Sequence, residues 1–257
     1  MSAEHRGVEN DRPIFHDAHC HLNSIANAEQ VARQAQSAGA GIFCNCTTPE
    51  EYEIARARFA PYPAIRVGLG LHPWWVDDPV ESQLERFGVL LRDAPYVGEV
   101  GLDFSMRHRG TAQAQHRAFA RIARLCAEAG GKTLSIHAVK SAGEALDTLC
   151  SCGAVESCTC VFHWFSGTSD DLNRAVDLGC RFSIGSRMIE TKRGRAYARS
   201  IPRHLVLLET DWPVHEGDEC TFDQLQENLA CTAARIAEIR REPRMVPPGG
   251  FESPFPA

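Results

Sequence analysis

Short apolar, β-prone runs alternate along this chain with longer segments that have a helical pattern of apolar and polar residues. Runs of the first kind predict buried strands, and segments of the second kind predict amphipathic helices. We predict strands near 15–21, 41–47, 65–71, 96–104, 133–139, 158–164, 180–184 and 204–210. The predicted helices are 28–39, 49–60, 81–92, 113–129, 142–149, 170–178, 191–200 and 223–241.

Local start and stop signals support several of these elements. Thr48, Pro49 and Glu50 combine a hydroxyl cap, a proline and an acidic residue, which is typical of a helix start. Gly39 and Gly130 stand where two of the helices should end, because glycine commonly follows the last helical residue.

Strand and helix alternate in about eight pairs, an order that indicates a parallel sheet covered by helices. This number fits a closed (β/α)8 TIM barrel, an α/β fold of about 250 residues, and an open doubly wound sheet is the alternative. Polar residues at strand ends favour the barrel, because its strand ends converge on one mouth whereas an open sheet collects such residues from fewer strands. These residues are His19, His21, His72, Glu99, Asp103, His137, His163 and Asp211.

The composition is that of an ordinary globular chain. Of 257 residues, 44% are hydrophobic and 23% are charged, which allows a large core. The net charge of −6 provides no strong basic field for nucleic acid, although a metal site and basic loops can still serve a polyanionic substrate. No apolar run is long enough to cross a membrane, and residues 1–11 show no signal peptide, so we expect a cytoplasmic protein without membrane contact.

The eleven cysteines are unusually many for this length. Without a secretory signal we expect reduced thiols of a cytosolic protein, several of them buried in strands as small apolar residues. A structural zinc site is the alternative, but its C-x-C spacings differ from the usual C-x2-C pairs. It would use Cys150, Cys152, Cys158 and Cys160.

A single domain is predicted. We expect the TIM-barrel hydrolase domain to span residues 12–242, because strands and helices alternate throughout this range. Residues 243–257 are rich in proline and glycine and lack a helical period, so we predict an extended or disordered tail.

The strongest chemical signal lies in the first predicted strand. Asp17, His19 and His21 are two residues apart, so a strand would place all three side chains on one face. Burying polar histidines is costly without a partner, and a metal ion is one such partner. Imidazole with carboxylate suits Zn, Mn, Fe or Co rather than a calcium-only site.

Six candidate ligands come from five predicted strands. Four histidines and two acids are more than one zinc ion needs, and they suit two metal ions with one carboxylate between them. Two-metal sites activate water for hydrolysis, here of a phosphate ester, an amide or a lactone. The six residues are His19, His21, Glu99, His137, His163 and Asp211.

Six ordered motifs between about residues 15 and 215 resemble the TatD-like metal-dependent hydrolases, a branch of the amidohydrolase-like barrels described as deoxyribonucleases. The six together are specific, whereas each alone would be weak. The motifs are HDAHCH (16–21), GLHP (70–73), GEVGLD (98–103), SIH (135–137), HWFSG (163–167) and ETDWP (209–213).

The resemblance implies a role for each matching residue. His19, His21 and Asp211 would hold the first metal, His137 and His163 the second, and Glu99 would bridge them. Asp211 would also take the proton from the attacking water as general base. Asp17 would orient a ligating histidine or cap its strand, His72 would contact a substrate phosphate or start its loop, and Asp103 would hold the loop after its strand.

Two positions depart from the family pattern. Members commonly carry His-x-Arg after the fifth strand, whereas this chain has Val139 at the arginine position, followed by Lys140. Lys140 could compensate as a point charge, without the bidentate fork that arginine offers to phosphate. The family also usually ends in a further helix with an Asn-bearing turn, whereas this chain passes from Arg241 into the Pro/Gly-rich tail.

Further features near the predicted site point to nucleic acid. Trp74, Trp75, Trp164, Phe165 and Trp212 could stack single-stranded bases or pack around the mouth. The residues that follow the seventh strand could contact a phosphate backbone or form a solvated helix face. These basic residues are Arg187, Lys192, Arg193 and Arg195.

Three functions are compatible with this sequence. We expect a deoxyribonuclease with two divalent ions (Mg, Mn or Zn), acting from the 3′ end of single-stranded DNA. The alternatives are an amide, lactone or D-aminoacyl hydrolase on the same barrel, and a non-catalytic subunit of a defence complex. Val139 and the atypical C-terminus keep the last alternative open, and its defence setting follows from similarity of residues 132–137, HWFSG and Phe182-Ser183-Ile184 to the TatD-like component of Qat-type anti-phage systems.

Overall fold

The structure is a computed structural model that describes residues 13–76 and 79–242. Residue 12 of the predicted domain and the predicted tail, 243–257, lie outside these ranges. The strands are β1 (Asp17–Cys20), β2 (Ile42–Asn45), β3 (Ile65–Leu71), β4 (Tyr96–Asp103), β5 (Thr133–Val139), β6 (Thr159–His163), β7 (Arg181–Ile184) and β8 (Val206–Leu208).

Helices alternate with these strands. They are α1 (Ala28–Ala38), α2 (Pro49–Phe59), α3 (Glu81–Leu91), α4 (Ala112–Ala129), α5 (Ala142–Ser151), α6 (Ala154–Ser157), α7 (Ser169–Asp177), α8 (Ser186–Glu190), α9 (Lys192–Ser200) and α10 (Phe222–Arg240). No described helix combines the length and the apolar character that a membrane crossing requires.

The eight strands form one parallel sheet in the order of the sequence, each paired with the next. Backbone hydrogen bonds just beyond β8 join the last strand to the first. Asp211 N donates to His19 O at 2.9 Å, and His21 N donates to Trp212 O at 2.6 Å. The (β/α)8 TIM barrel predicted from the alternation is therefore confirmed, and the open sheet is excluded.

The predicted element bounds differ from the structure mainly near the chain's last strand. The predicted strand 204–210 is shorter, because a 3-10 turn occupies Arg203–Leu205 before β8 begins. The short helices α6 and α8 were not predicted, since four or five residues are too few to show a helical period. Each of these differences lies in a connection or at a strand end, so the barrel order is unchanged.

Side-chain caps fix where the helices begin. The Thr48 side chain accepts a hydrogen bond from Glu51 N at the start of α2. Capping boxes begin α7 (Thr168 with Asp171) and α10. The last helix, α10, follows the loop that carries Asp211. These caps therefore fix the first residues of helices that follow the strand ends.

Gly70 allows an unusually close approach between strands. A Cβ at this position would lie 1.6 Å from Cys46 O and 2.8 Å from Glu99 N. Without that atom, Glu99 N donates to Cys46 O across β3 at 2.7 Å, and the β3–β4 register shifts at this level. The missing side chain therefore lets the backbone of Glu99 lie close to β2.

The cysteines pack as free thiols. Within the described ranges, no cysteine belongs to a group of side chains that could hold a metal ion. The alternative zinc site is therefore wrong. Cys152 Sγ and Cys158 Sγ instead contact the carbonyls of Ala120 and Cys126 on α4, at 3.5 and 3.4 Å. Burial raises the pKa of Cys160, which keeps that thiol protonated.

Candidate metal centre

A cavity of about 610 Å³ opens at the C-terminal ends of the strands. His19 is fully buried beneath it, and Asp17 is buried as well. Lys140 is exposed and is not among the residues that line the cavity, whereas Val139 is. The other predicted site residues line it: His21, His72, Glu99, His137, His163, Trp164 and Asp211.

The Glu99 carboxylate lies at the centre of the histidines. Its Oε2 is 3.5 Å from Nε2 of His19 and 3.5 Å from Nε2 of His21. Its Oε1 is 2.7 Å from His137 Nδ1 and 2.8 Å from His163 Nε2. One carboxylate therefore presents a different oxygen to each of two imidazole pairs, although these pairs come from strands on different sides of β4.

Asp211 completes the group around His19 and His21. Its Oδ1 is 3.8 Å from His19 Nε2 and 3.5 Å from His21 Nε2. Interaction with the nearby histidines, His21 first, holds the pKa of Asp211 below its usual value despite the opposing effect of burial. The carboxylate is consequently ionised at neutral pH.

His72 lies next to the other imidazole pair, His137 and His163. Its Nε2 lies 3.4 Å from Glu99 Oε1 and 3.3 Å from His137 Nδ1. These distances place His72 in a group that could itself hold a metal ion, besides the predicted role at a substrate phosphate. The described residues form three such groups: His19, His21 and Asp211; His72, Glu99 and His137; His19, His163 and Glu209.

Neighbouring polar groups orient the imidazole rings. Asn45 O lies 2.9 Å from His21 Nδ1, and because a carbonyl can only accept, this nitrogen carries a proton. Ser135 Oγ lies 2.7 Å from His19 Nδ1. In each case Nε2, the nitrogen that faces the carboxylates, is the one left for a ligand. Such partners fix the tautomer of metal-binding histidines.

The unpartnered Nε2 nitrogen of His19 tests whether a metal ion fits. Its Nε2 is buried and has no hydrogen-bond partner, which is costly for a polar atom. Burial lowers the pKa of His19 to about 4, so the ring is neutral and its lone pair is available. A neutral imidazole nitrogen facing two carboxylates is a metal donor set, and the residues therefore fit a divalent cation.

Protons occupy other positions of the centre when no metal is bound. Although burial opposes the change, Asp211 and Glu99 raise the pKa of His21 to about 10. Burial also opposes protonation of His137, but Asp103 and Glu99 raise its pKa to about 9. Two imidazolium groups therefore lie among the carboxylates at neutral pH, and their protons would have to leave for a metal ion to bind.

Asp17 acts on the backbone. Its Oδ1 accepts hydrogen bonds from His19 N at 3.2 Å and Thr210 N at 3.1 Å, and its Oδ2 accepts from Thr210 Oγ1 at 2.6 Å. Burial raises the pKa of Asp17 to about 7, opposed by the Thr210 bonds. The carboxylate thus connects β1 to the segment after β8, and it positions His19 and Asp211 through the main chain.

Glu209 is a buried acid that the sequence interpretation missed. Ser183 Oγ donates to its Oε2 at 2.5 Å, and Trp164 N donates to its Oε1 at 3.2 Å. Burial, reinforced by Asp211, raises the pKa of Glu209 well above its ordinary value, which favours the neutral carboxylic acid. The ETDWP motif contained this residue, but nothing in the spacing showed that Ser183 would face it.

This chain is similar in sequence to known proteins. A family model described as "TatD related DNase" matches residues 16–246. The chain is 31% identical over 207 residues to a 3′-5′ ssDNA/RNA exonuclease TatD of Yersinia pseudotuberculosis, covering 77% of this chain and 78% of the relative.

Two solved structures are similar in fold. The first is YjjV, a TatD homologue from Escherichia coli K12, with a TM-score of 0.73 and 23% identity, covering 90% of this chain and 92% of that one. The second is a hydrolase TatD family protein from Entamoeba histolytica, with a TM-score of 0.71 and 16% identity, covering 94% of both chains.

Proposed function

Because this chain belongs to the TatD-related DNase family and is a metal-dependent hydrolase acting on ester bonds, we propose that it is a deoxyribonuclease using two divalent ions. We propose single-stranded DNA as substrate, with removal of nucleotides from the 3′ end. The curated relatives named as 3′-5′ ssDNA/RNA exonucleases support this substrate. The eleven free thiols support our proposal that the protein is cytoplasmic.

The position of Glu99 is the observation that carries the two-metal proposal. Its two oxygens face separate imidazole groups, as a bridging carboxylate would. His19, His21 and Asp211 would hold one ion, and His137 and His163 the other, with His72 beside the second. When bound by these residues, divalent ions would lower the pKa of a bound water and would neutralise charge on the phosphate. The many imidazoles favour Zn or Mn over Mg alone.

The protein's own groups would prepare the reaction. Asp211 is ionised and lines the cavity, so it can accept a proton from the attacking water. Asp17 and Thr210 hold the backbone on which Asp211 is carried. Trp164 and Trp75 line the same cavity and offer aromatic faces to an unpaired base.

Cleavage of single-stranded DNA tests the proposal. Oligonucleotides labelled at the 3′ or 5′ end would be incubated with Mg or Mn, and products of the wild type compared with Glu99→Ala and His163→Ala. His204→Ala is the matched control, since His204 is exposed and does not line the cavity. Release of 3′ mononucleotides, lost in both variants and kept in the control, is the expected result.

The same samples separate the alternatives. A wild type that binds metal but leaves every oligonucleotide intact would contradict the nuclease and favour an amide, lactone or D-aminoacyl hydrolase. A wild type without metal and without cleavage would favour the non-catalytic subunit. A role in Qat-type defence and protein partners for it remain predictions.

A further inference from the structure

Arg187 is held at the cavity by two unlike contacts. Its Nη2 donates to Asp211 Oδ2 at 2.6 Å and to Asp211 O at 3.0 Å. Its guanidinium carbon lies 4.9 Å from the centre of the Trp164 ring, a cation–π distance. The side chain comes from the first turn of α8, directly after β7. The Trp164 ring on its face and the Asp211 oxygens at Nη2 together fix the orientation of the guanidinium.

Trp164 is itself fixed by its backbone. Trp164 N donates to Glu209 Oε1 at 3.2 Å and to Ser183 O at 3.3 Å, and the residue has a φ of 38°. The stacked pair therefore rests on buried groups of β7 and of the segment after β8. A guanidinium held in this way loses little conformational freedom when it binds a ligand.

The guanidinium has donors to spare. Its described hydrogen bonds all use Nη2, so Nε–H and the Nη1–H groups make none with the described residues. The side chain is 39% exposed and lines the cavity. Among the described residues that line this cavity, Arg187 is the one lysine or arginine, beside the acids Glu99, Asp211 and Glu216.

We propose that Arg187 is the phosphate-binding residue of this site, which makes the site selective for anionic phosphodiesters over neutral esters. The inference rests on the proposed nuclease function and specifies its substrate chemistry. Arginine donates charge-assisted hydrogen bonds to phosphate oxygens, and the Nε–H and Nη1–H groups of Arg187, which are not used by Asp211, can each donate one. Lys140, outside the cavity lining, is not needed for this contact.

Binding to a charged and a neutral linkage tests this role. Two fluorescent single-stranded oligonucleotides would differ only in a methylphosphonate at the 3′-terminal linkage, and anisotropy would be measured in EDTA so that no cleavage occurs. We expect the wild type to prefer the phosphodiester by about tenfold or more, the effect of one charge-assisted contact. Arg187→Met should bind both equally.

Controls separate phosphate binding from positioning and from overall charge. Arg33→Met removes the same charge from the exposed side of α1 and should keep the wild-type preference. Arg187→Lys should keep part of it. With metal added, Arg187→Met should raise KM for DNA more than it lowers kcat, and thermal unfolding should show that the variant is folded.

The binding and kinetic results for Arg187→Met decide between phosphate binding and positioning of Asp211. If folded Arg187→Met keeps the wild-type preference, or loses kcat with KM unchanged, Arg187 only positions Asp211 and the proposal fails while the nuclease proposal stands. If the wild type neither binds nor cleaves either oligonucleotide, both proposals fail together.

Discussion

Asp103 Oδ2 lies 3.2 Å from Nε2 of His137, the ring nitrogen that does not face Glu99. The same oxygen accepts a hydrogen bond from Trp74 Nε1 at 2.6 Å, and Oδ1 accepts from Ser105 N at 2.8 Å. Asp103 therefore holds the loop after β4, as the sequence suggested, and also orients a proposed metal ligand. Carboxylates in this position make the imidazole a stronger donor.

We predict that Asp103→Asn weakens metal binding by about 10- to 100-fold, because a neutral amide cannot stabilise the ring as the carboxylate does. Isothermal titration of the metal-free protein with Mn or Zn measures this directly. Asp147→Asn, which alters an exposed carboxylate paired with Arg174, is the control and should bind as the wild type does. Equal affinity in both variants would show that Asp103 serves the loop alone.

Metal affinity should rise with pH across the neutral range. His21 and His137 have raised pKa values of about 10 and about 9, so their protons must leave when a metal ion binds. Titration calorimetry in two buffers of different ionisation enthalpy counts the released protons, and we expect more than one per protein. A pH-independent affinity with no proton release would contradict the assignment of these histidines.

The same shifts predict the stability of the metal-free protein. The two protonated histidines stabilise the fold fully below their unfolded pKa of about 6.5, and this contribution is lost as pH rises through about 9 and 10. The melting temperature in EDTA should therefore fall in that alkaline range, and added metal should reduce the fall. A melting temperature that rises there would refute the prediction.

Glu209→Gln should be tolerated, because a neutral carboxylic acid and an amide are nearly isosteric. Trp164 N can still donate to the amide oxygen, and the Ser183 hydroxyl can accept from the amide nitrogen. Glu209→Ala should instead lower the free energy of unfolding by about 2–5 kcal/mol, since it leaves a cavity and an unpaired donor. Denaturant unfolding and metal titration compare the two variants.

Loss of metal binding in folded Glu209→Gln would contradict this prediction. It would show that Glu209 is an ionised ligand of the group with His19 and His163, rather than a neutral positioning residue.

Gly70→Ala should lower the free energy of unfolding by more than about 4 kcal/mol, because its Cβ would overlap the main chain at Cys46 O. Gly88→Ala is the matched control: its Cβ would meet only Leu125 Cδ1 at 3.7 Å, and alanine in a helix adds about 0.5–1 kcal/mol. Denaturant unfolding of both variants tests the pair. A mild effect of Gly70→Ala would show that β3 can move away from β2.

The sequence predicted the barrel and the six candidate ligands for a common reason. Each ligand is a polar residue at or near the end of an apolar run, and only a site explains repeated exceptions of this kind. The partners of those ligands gave no such signal. Ser135 lies within a strand and is 116 residues from His19, so their contact depends on how far the barrel turns between β1 and β5.

Other features depended on three-dimensional detail of a different kind. Arg187 was seen in the sequence as part of a basic patch, but its stacking on Trp164 and its bond to Asp211 follow from the turn after β7. The role of Gly70 follows from a register shift that no spacing shows. Lys140 looked like a substitute for a missing arginine, whereas it lies outside the cavity lining.

The seam between the first and the last strand also sets an order of events during synthesis. Asp17 and Thr210, which bond across it, are 193 residues apart. A nascent chain on the ribosome lacks Asp211 until all eight strands have been translated. A chain that ends before Asp211 therefore lacks a proposed metal ligand, and we expect no hydrolytic activity from it.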